Sequence, residues 1–364
     1  MFTFQLTDEM LSDSEIALFS GYLDICGVDN AVWDVYRFLP RIRSESTRPL
    51  ILRAYRDSHL AGAAMLLKCR RYGGSLFENA VARRILDWAA LPCHVWIRSG
   101  FCAETVANPG FVANGENAQA VIAAMLDFMR DHALMLLVID RSDQRTLHSR
   151  AAPYPYVCDG SVVVSGMNDV GNYVARHQNL MRKVKEFRNR GGSVQIIHGA
   201  LDEGLTDQFC SCLEATARRS VIRSPFQDLF SEFARATCQC DSPAIVHFIA
   251  GMKGDLLGYH SFVRTGKGLH MMHGAFARER PTTHHAYENI MIEAVRYALE
   301  QGLSEVHLGP VMNETKRRMV NQVVGTTLFF YSANLLLRAL LSLLFPYTRL
   351  QSRKLLILNK NRPV

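Results

Sequence analysis

Apolar and polar positions alternate, break at a polar turn and alternate again at two widely separated places in the chain. Leu50 to Leu67 reads LILRAYRDSHLAGAAMLL, and Ile245 to Val263 reads IVHFIAGMKGDLLGYHSFV. Each predicts a strand, a turn and a second strand, with Gly62 or Gly258 early in the second strand. The segments after the two hairpins are also alike. In the first half HVWIRSGFCAETVA, NAQAVIAAMLDFMRDHA and LMLLVIDRS predict strand, helix and strand; in the second half LHMMHGAFA, HAYENIMIEAVRYALEQG and SEVHLGPV predict the same series. Val121, Ile122, Met125 and Met129 share one face of the first helix, and Ala286, Ile290, Ala294 and Ala298 one face of the second. Gly302 stands where the second helix needs a C-terminal cap.

Hairpins imply antiparallel pairs, whereas strands joined through a helix imply a parallel pair. The expected fold class is therefore α/β of a mixed α+β kind: two tandem domains, each a mixed sheet flanked by helices. The expected limits are 1–165 and 166–330, with an apolar C-terminal helix and basic tail over 331–364. Between the copies, Arg176, Arg182, Lys183, Lys185, Arg188 and Arg190 are offset by Glu186 alone, which predicts a basic helix opening the second domain and ended by Gly191-Gly192. Thr327 to Phe345, TLFFYSANLLLRALLSLLF, approaches the length of a membrane span and is interrupted only by Asn334 and Arg338. Two readings of it stand side by side. One is a strand followed by an all-round apolar helix packed on a domain or on a second copy in a homodimer. The other is an interfacial membrane helix anchored by Arg338, Arg349, Arg353 and Lys354.

Composition narrows the class. A chain of 364 residues, 48% of them apolar, has room for two or three domains with sizeable cores. The first residues, MFTFQLTDEM, carry acids where a secretory signal needs basic residues before an apolar run, and nine cysteines read as reduced thiols, so a cytoplasmic protein, peripheral to membrane at most, is expected. A net charge of +7 suits an anionic partner without choosing among phosphates, nucleic acid and membrane surface.

The repeated order of hairpin, strand, helix and strand resembles the core of the GNAT superfamily of N-acyltransferases. Two such cores over about residues 45–330, a basic helix opening the second, and GP…ETKRR after its last strand resemble the Fem-type and cellulose-biosynthesis-type (BioF-like) acyltransferases. The resemblance implies a cleft where two parallel strands part, here His270–Ala277 and Val306–Val311, and Pro310 sits naturally where ladder pairing ends. A phosphate-bearing donor would meet the turn ARERPTTHHAYEN, where Arg278, Arg280, Thr282 and Thr283 join a helix N-terminus. That turn lacks the superfamily's usual glycine-rich run, so acyl-CoA, an acyl carrier protein and aminoacyl-tRNA all stay open as co-substrate, with no tightly bound cofactor.

Acyl transfer to an amine needs a base and a stabiliser for the developing oxyanion. His273 on the splayed strand and Glu288 in the helix's first turn are the candidate bases, against the plainer readings of a core histidine and a dipole-serving acid. Tyr259 and His260 lie on opposite faces of the neighbouring strand, so at most one can face the site, and Tyr259 is kept among the candidates. By resemblance Lys316 is the leading functional residue, with Asn313 and Arg317 beside it and Arg182 on the basic helix as a contact for tRNA or a carrier protein. The pairs Cys210/Cys212 and Cys238/Cys240 fall in helical surroundings where residues two apart point about 200° apart, so no metal site is expected. The expected activity is transfer of an acyl or aminoacyl group to a small-molecule or peptide amine. The alternatives are a strictly aminoacyl-tRNA-dependent transferase and a non-catalytic accessory protein that binds polyanions or membrane.

Overall fold

The computed structural model describes residues 2–9, 11–18, 47–69, 93–96, 111–113, 118–141, 147–155, 159–175, 179–219, 230–277, 285–310 and 314–344. The first half runs β1 (Phe2–Thr7), α1 (Asp13–Ala17), β2 (Thr47–Arg56), β3 (His59–Cys69), β4 (Cys93–Trp96), β5 (Phe111–Ala113), α2 (Ala118–His132), β6 (Leu136–Arg141), β7 (Ala152–Pro155) and β8 (Asp159–Val163). The second half runs α3 (Val170–Ala175), α4 (Leu180–Asn189), β9 (Gly192–His198), α5 (Glu203–Arg219), α6 (Phe230–Cys238), β10 (Ile245–Met252), β11 (Asp255–Arg264), β12 (Gly268–Phe276), α7 (Ala286–Glu300), β13 (Glu305–Pro310) and α8 (Glu314–Met319). It closes with β14 (Gln322–Val324), β15 (Thr326–Tyr331) and α9 (Leu335–Leu344).

Both expected hairpins form, and for the same local reason. Asp57 and Ser58 (φ 51° and 66°) join β2 to β3, and Lys253 and Gly254 (φ 53° and 86°) join β10 to β11. Two-residue turns with positive φ at both positions match the twist of the strands they connect. Both expected parallel steps form as well, β4 with β6 and β12 with β13. The predicted helical faces are the buried ones: Val121, Ile122, Met125 and Met129 on α2, and Ala286, Ile290, Ala294 and Ala298 on α7. Gly302, at φ 65°, ends α7 by bonding its N–H to Leu299 O while Leu303 N–H reaches Ala298 O.

The sheets do not follow the linear halves. One has the order β1-β2-β3-β4-β6-β15-β7 with β5 on β3, and the other β14-β8-β13-β12-β11-β10-β9. β8, from the end of the first half, pairs with β13 and β14, whereas β15, from the end of the chain, lies between β6 and β7. Each copy thus lends its closing strand to the other's sheet. Leu328, Phe329, Phe330 and Tyr331 on β15 are buried there, and an Asp140–His148–Tyr331 hydrogen-bonded chain, 2.9 and 2.5 Å, ties the strand in place.

The basic helix corrects its expected start: it begins at Leu180 rather than Arg176, because Asn179 takes a left-handed φ of 69° that a helix cannot pass through, and α3 precedes it. In the first half the described part of the third strand ends at Trp96; the rest of HVWIRSGFCAETVA lies outside the described residues. The C-terminal helix forms, yet Leu337 alone among its described side chains is buried within the chain. No described helix is long and apolar enough to cross a membrane.

Candidate functional site

β12 and β13 pair in parallel over three positions only, Gly268 with Glu305, Leu269 with Val306 and His270 with His307. Beyond them β12 continues against β11 as far as Phe276, while Gly309 and Pro310 continue the antiparallel pairing with β8 that β13 makes from Glu305 onward. A cleft opens between the two strands. Leu308 is the first residue of β13 past the last parallel pair, and Lys316 Nζ donates to its carbonyl oxygen at 2.8 Å. The short helix α8 that carries Lys316 is held at its C-terminal end. Tyr173 Oη donates to Met319 O at 2.7 Å, and the Asn321 side chain accepts from Val163 N at 2.8 Å and donates to Val163 O at 3.0 Å. Anchored in this way, a half-buried ammonium stands at the mouth of the cleft.

On β11, His260 projects from the sheet on the side covered by α7. It lies opposite Gly274, with ring centres of Phe276 and Tyr287 at 5.3 and 5.6 Å. The ring needs a glycine there, since a Cβ at position 274 would sit 2.2 Å from His260 Nδ1. Among the described residues neither ring nitrogen of His260 has a hydrogen-bond partner, although the residue is only 4% exposed; the Tyr287 hydroxyl is likewise buried and unpartnered. Each such orphan costs about 1–3 kcal/mol, so a site that keeps several is suited to a ligand that supplies the missing bonds. Burial first, and the Lys316 charge second, push the His260 pKa down to about 3, so the ring is neutral at pH 7 and open to donate or accept.

The other expected residues fall in different places. Tyr259 and His260 do face opposite ways, and it is Tyr259 that turns from α7 into the core under α5 and α6, stacked on Phe209 at 3.6 Å with its hydroxyl donating to Phe209 O. His273 shares that side, its Nδ1 3.3 Å from the Tyr259 hydroxyl. Burial lowers the His273 pKa to about 3 and raises that of Tyr259 well above the usual phenol range, the latter helped by the thiols of Cys238, Cys210 and Cys212. Glu288 is engaged by Lys183 of α4 in a close ion pair. Arg182 lies 3.3 Å from Glu186, which also receives His285 at 2.9 Å, and Arg188 is 3.6 Å from Glu293. Arg317 is half-buried next to Lys316, while Arg278, Arg280, Thr282, Thr283 and Asn313 lie outside the described residues. His285 at the N-cap of the helix they precede has φ 67° and makes no side-chain capping bond.

The structure therefore joins Lys316, His260 and Tyr287 on one side of the second sheet, and sets His273 and Tyr259 on the other. Tyr287 carries no mark in the sequence, because an aromatic in the first turn of an apolar helix reads as core. His260 carries half of one: strand alternation tells that it opposes Tyr259 but not which of the two meets α7.

Residues 175–317 match the family model described as the acetyltransferase (GNAT) domain, which spans the second copy from α4 to Arg317. No curated protein matches the chain by sequence. Among solved structures, the chain is similar to the C-terminal domain of a putative lysylphosphatidylglycerol synthetase from Agrobacterium fabrum, at a TM-score of 0.57 and 9% identity over 92% of this chain and 96% of that one. It is similar to the L-PGS of Bacillus licheniformis at a TM-score of 0.57 and 10% identity, over 93% and 98% of the two chains. FemX gives a TM-score of 0.56 at 10% identity, over 92% and 99%. At such identities the likeness is one of fold, and it covers 92–93% of the chain. Residues 175–317 thus match the GNAT acetyltransferase domain model on the half that carries β12 and β13, and the chain as a whole has a fold similar to that of FemX and the other two structures.

Proposed function

We propose that the protein moves an acyl or aminoacyl group from an activated carrier to an amine by direct attack, in the cleft between β12 and β13. The observation that carries this reading is the juxtaposition of the Lys316 ammonium, held on the Leu308 carbonyl, with the His260 and Tyr287 side chains, which have no hydrogen-bond partner among the described residues. In the step proposed, the amine nitrogen attacks the donor's carbonyl carbon, a C–N bond forms, and the bond from that carbon to the carrier's sulfur or oxygen breaks. Neutral His260 accepts a hydrogen bond from the amine and orients it, the amine's proton passes to water or to the departing sulfur or oxygen, and Lys316 stabilises the negative charge on the carbonyl oxygen or on the departing carrier. Acyl-CoA and an acyl carrier protein both fit this scheme as donors, the acceptor is a small-molecule or peptide amine bound toward the first copy, and the setting is cytoplasmic.

A charged tRNA is the second reading, favoured by the Arg182 side chain on α4, which is 66% exposed. One of the structural relatives is named as a putative lysylphosphatidylglycerol synthetase, and lysylphosphatidylglycerol carries an aminoacyl group. The deciding experiment incubates the purified chain with acyl-CoAs, acyl carrier proteins or charged tRNA and a panel of amines, with mass detection of the product. Lys316→Ala is expected to lower the transfer rate about 10²-fold or more, with thermal stability near that of the wild type. Loss of activity on ribonuclease treatment selects tRNA as donor. Absence of transfer from every donor, with Lys316→Ala binding each as the wild type does, overturns the reading in favour of a non-catalytic accessory role.

A further inference from the structure

After β15, α9 leaves the first sheet with its apolar side outward. Leu335, Leu336, Leu340 and Leu343 are 75%, 82%, 48% and 72% exposed. At 100° per residue these four, with exposed Ala339 among them, fall within about 140° of arc, and Arg338 borders that arc next to Leu335. A continuous leucine stripe of this kind is uncommon on a surface that meets only water.

At the N-terminal end of the same helix lies a cavity of about 410 Å³ lined by Arg130, Ser149, Arg150, Ala151, Ser332, Ala333 and Arg338. Every charged residue on its wall is an arginine. Asp127 and Asp131 bond the guanidinium groups of Arg130 and Arg150 without lining the cavity, at 2.5 to 3.2 Å, which orients two of the three cations. Two serine hydroxyls add donors, although Ser332 Oγ is already bonded to Leu134 O. Asn334 caps α9, its side chain accepting from Leu337 N at 3.0 Å, so the positive end of the helix is directed to the same place. Beyond α9 the sequence runs on for residues 345–364 with Arg349, Arg353, Lys354, Lys360 and Arg362 and no acidic residue.

We propose that α9 and the arginine cavity beside it form a docking surface for an anionic phospholipid bilayer, with the leucine stripe in the acyl boundary and a lipid phosphate in the cavity. Charge selects this occupant over a second copy of the chain. A second copy would bring the same arginines to the contact, whereas an anionic headgroup layer is complementary to them. The inference does not depend on the transfer chemistry, because none of these residues belongs to the β12–β13 cleft.

The test is flotation of the full-length chain with vesicles of phosphatidylcholine alone or mixed equally with phosphatidylglycerol. Binding to the anionic vesicles, absent with phosphatidylcholine alone and weakened by added salt, is the expected result. Leu336→Ser combined with Leu343→Ser should weaken that binding about tenfold or more, and Arg338→Gln should reduce the preference for anionic lipid, both at unchanged melting temperature. Equal binding to the two vesicle types, failure to bind either, or a wild-type dimer in solution that the leucine variant abolishes would overturn the proposal.

Discussion

Gly274 shows how a single missing methyl group shapes the cleft. A side chain there would meet His260 Nδ1 at 2.2 Å, so the ring can stand over the strand only if position 274 has no Cβ. Gly274→Ala is expected to cost about 1–3 kcal/mol of stability, as overpacking of a full interior does, and to impair transfer more than its loss of stability explains, by moving His260. Calorimetry together with the transfer rate measures both. Lys316 stands out in the sequence through the resemblance to the Fem-type pattern, as a cation just past the last core strand. His273 and Tyr259 are equally visible as polar residues on apolar strands, but only the packing of α5 and α6 assigns them to the opposite side of the sheet. Strand alternation separates neighbours into two faces and leaves the faces unlabelled.

Helices α4 and α7 explain the basic run between the copies. Lys183 meets Glu288, Glu186 meets His285 and Arg188 meets Glu293, so much of the charge that reads as a polyanion grip binds one helix to the other. The Lys183–Glu288 pair is the most protected, with side chains 32% and 9% exposed. A double-mutant cycle with Lys183→Ala and Glu288→Ala should return a coupling of about 1 kcal/mol, larger than a fully exposed pair gives. Glu288→Ala alone should cost more stability than Glu288→Gln, which retains a hydrogen-bond acceptor for Lys183. Helix positions and their buried faces follow from spacing in the sequence. Which acid answers which base does not, because partners such as Lys183 and Glu288 are far apart along the chain.

At the scale of the molecule, the histidines set the response to acid. Burial lowers the pKa to about 4 for His94 and His247 and to about 3 for His260, His270 and His273. The unfolded chain binds protons at each of these near pH 6.5, while the folded one stays neutral there, so the unfolded state carries more protons between about pH 6.5 and the folded values. Stability is therefore full above pH 6.5 and falls as the pH drops, by up to roughly 1.4 kcal/mol per pH unit for each such histidine. Melting temperatures measured from pH 7.5 to 4.5 should decline steeply below 6.5, and His247→Gln should flatten that decline. A flat profile would mean that these rings are better hydrated than their burial indicates.

The tandem repeat, the two hairpins with their turns, the apolar faces of α2 and α7, the single parallel step in each sheet and the lysine beyond the last core strand were all determined by the sequence alone. Each depends on residues close together in the chain, where spacing, turn chemistry and capping act directly. Tertiary structure decided the rest: that β8 and β15 cross into each other's sheets, that the parallel pair parts after His270 and His307, that His260 and Tyr287 rather than His273 and Tyr259 share the side with Lys316, and that α9 turns its leucines outward. These outcomes rest on contacts between distant segments. A strand such as β15, TTLFFY, is apolar enough to fit the interior of either sheet, and only the competition among complete packings selects one.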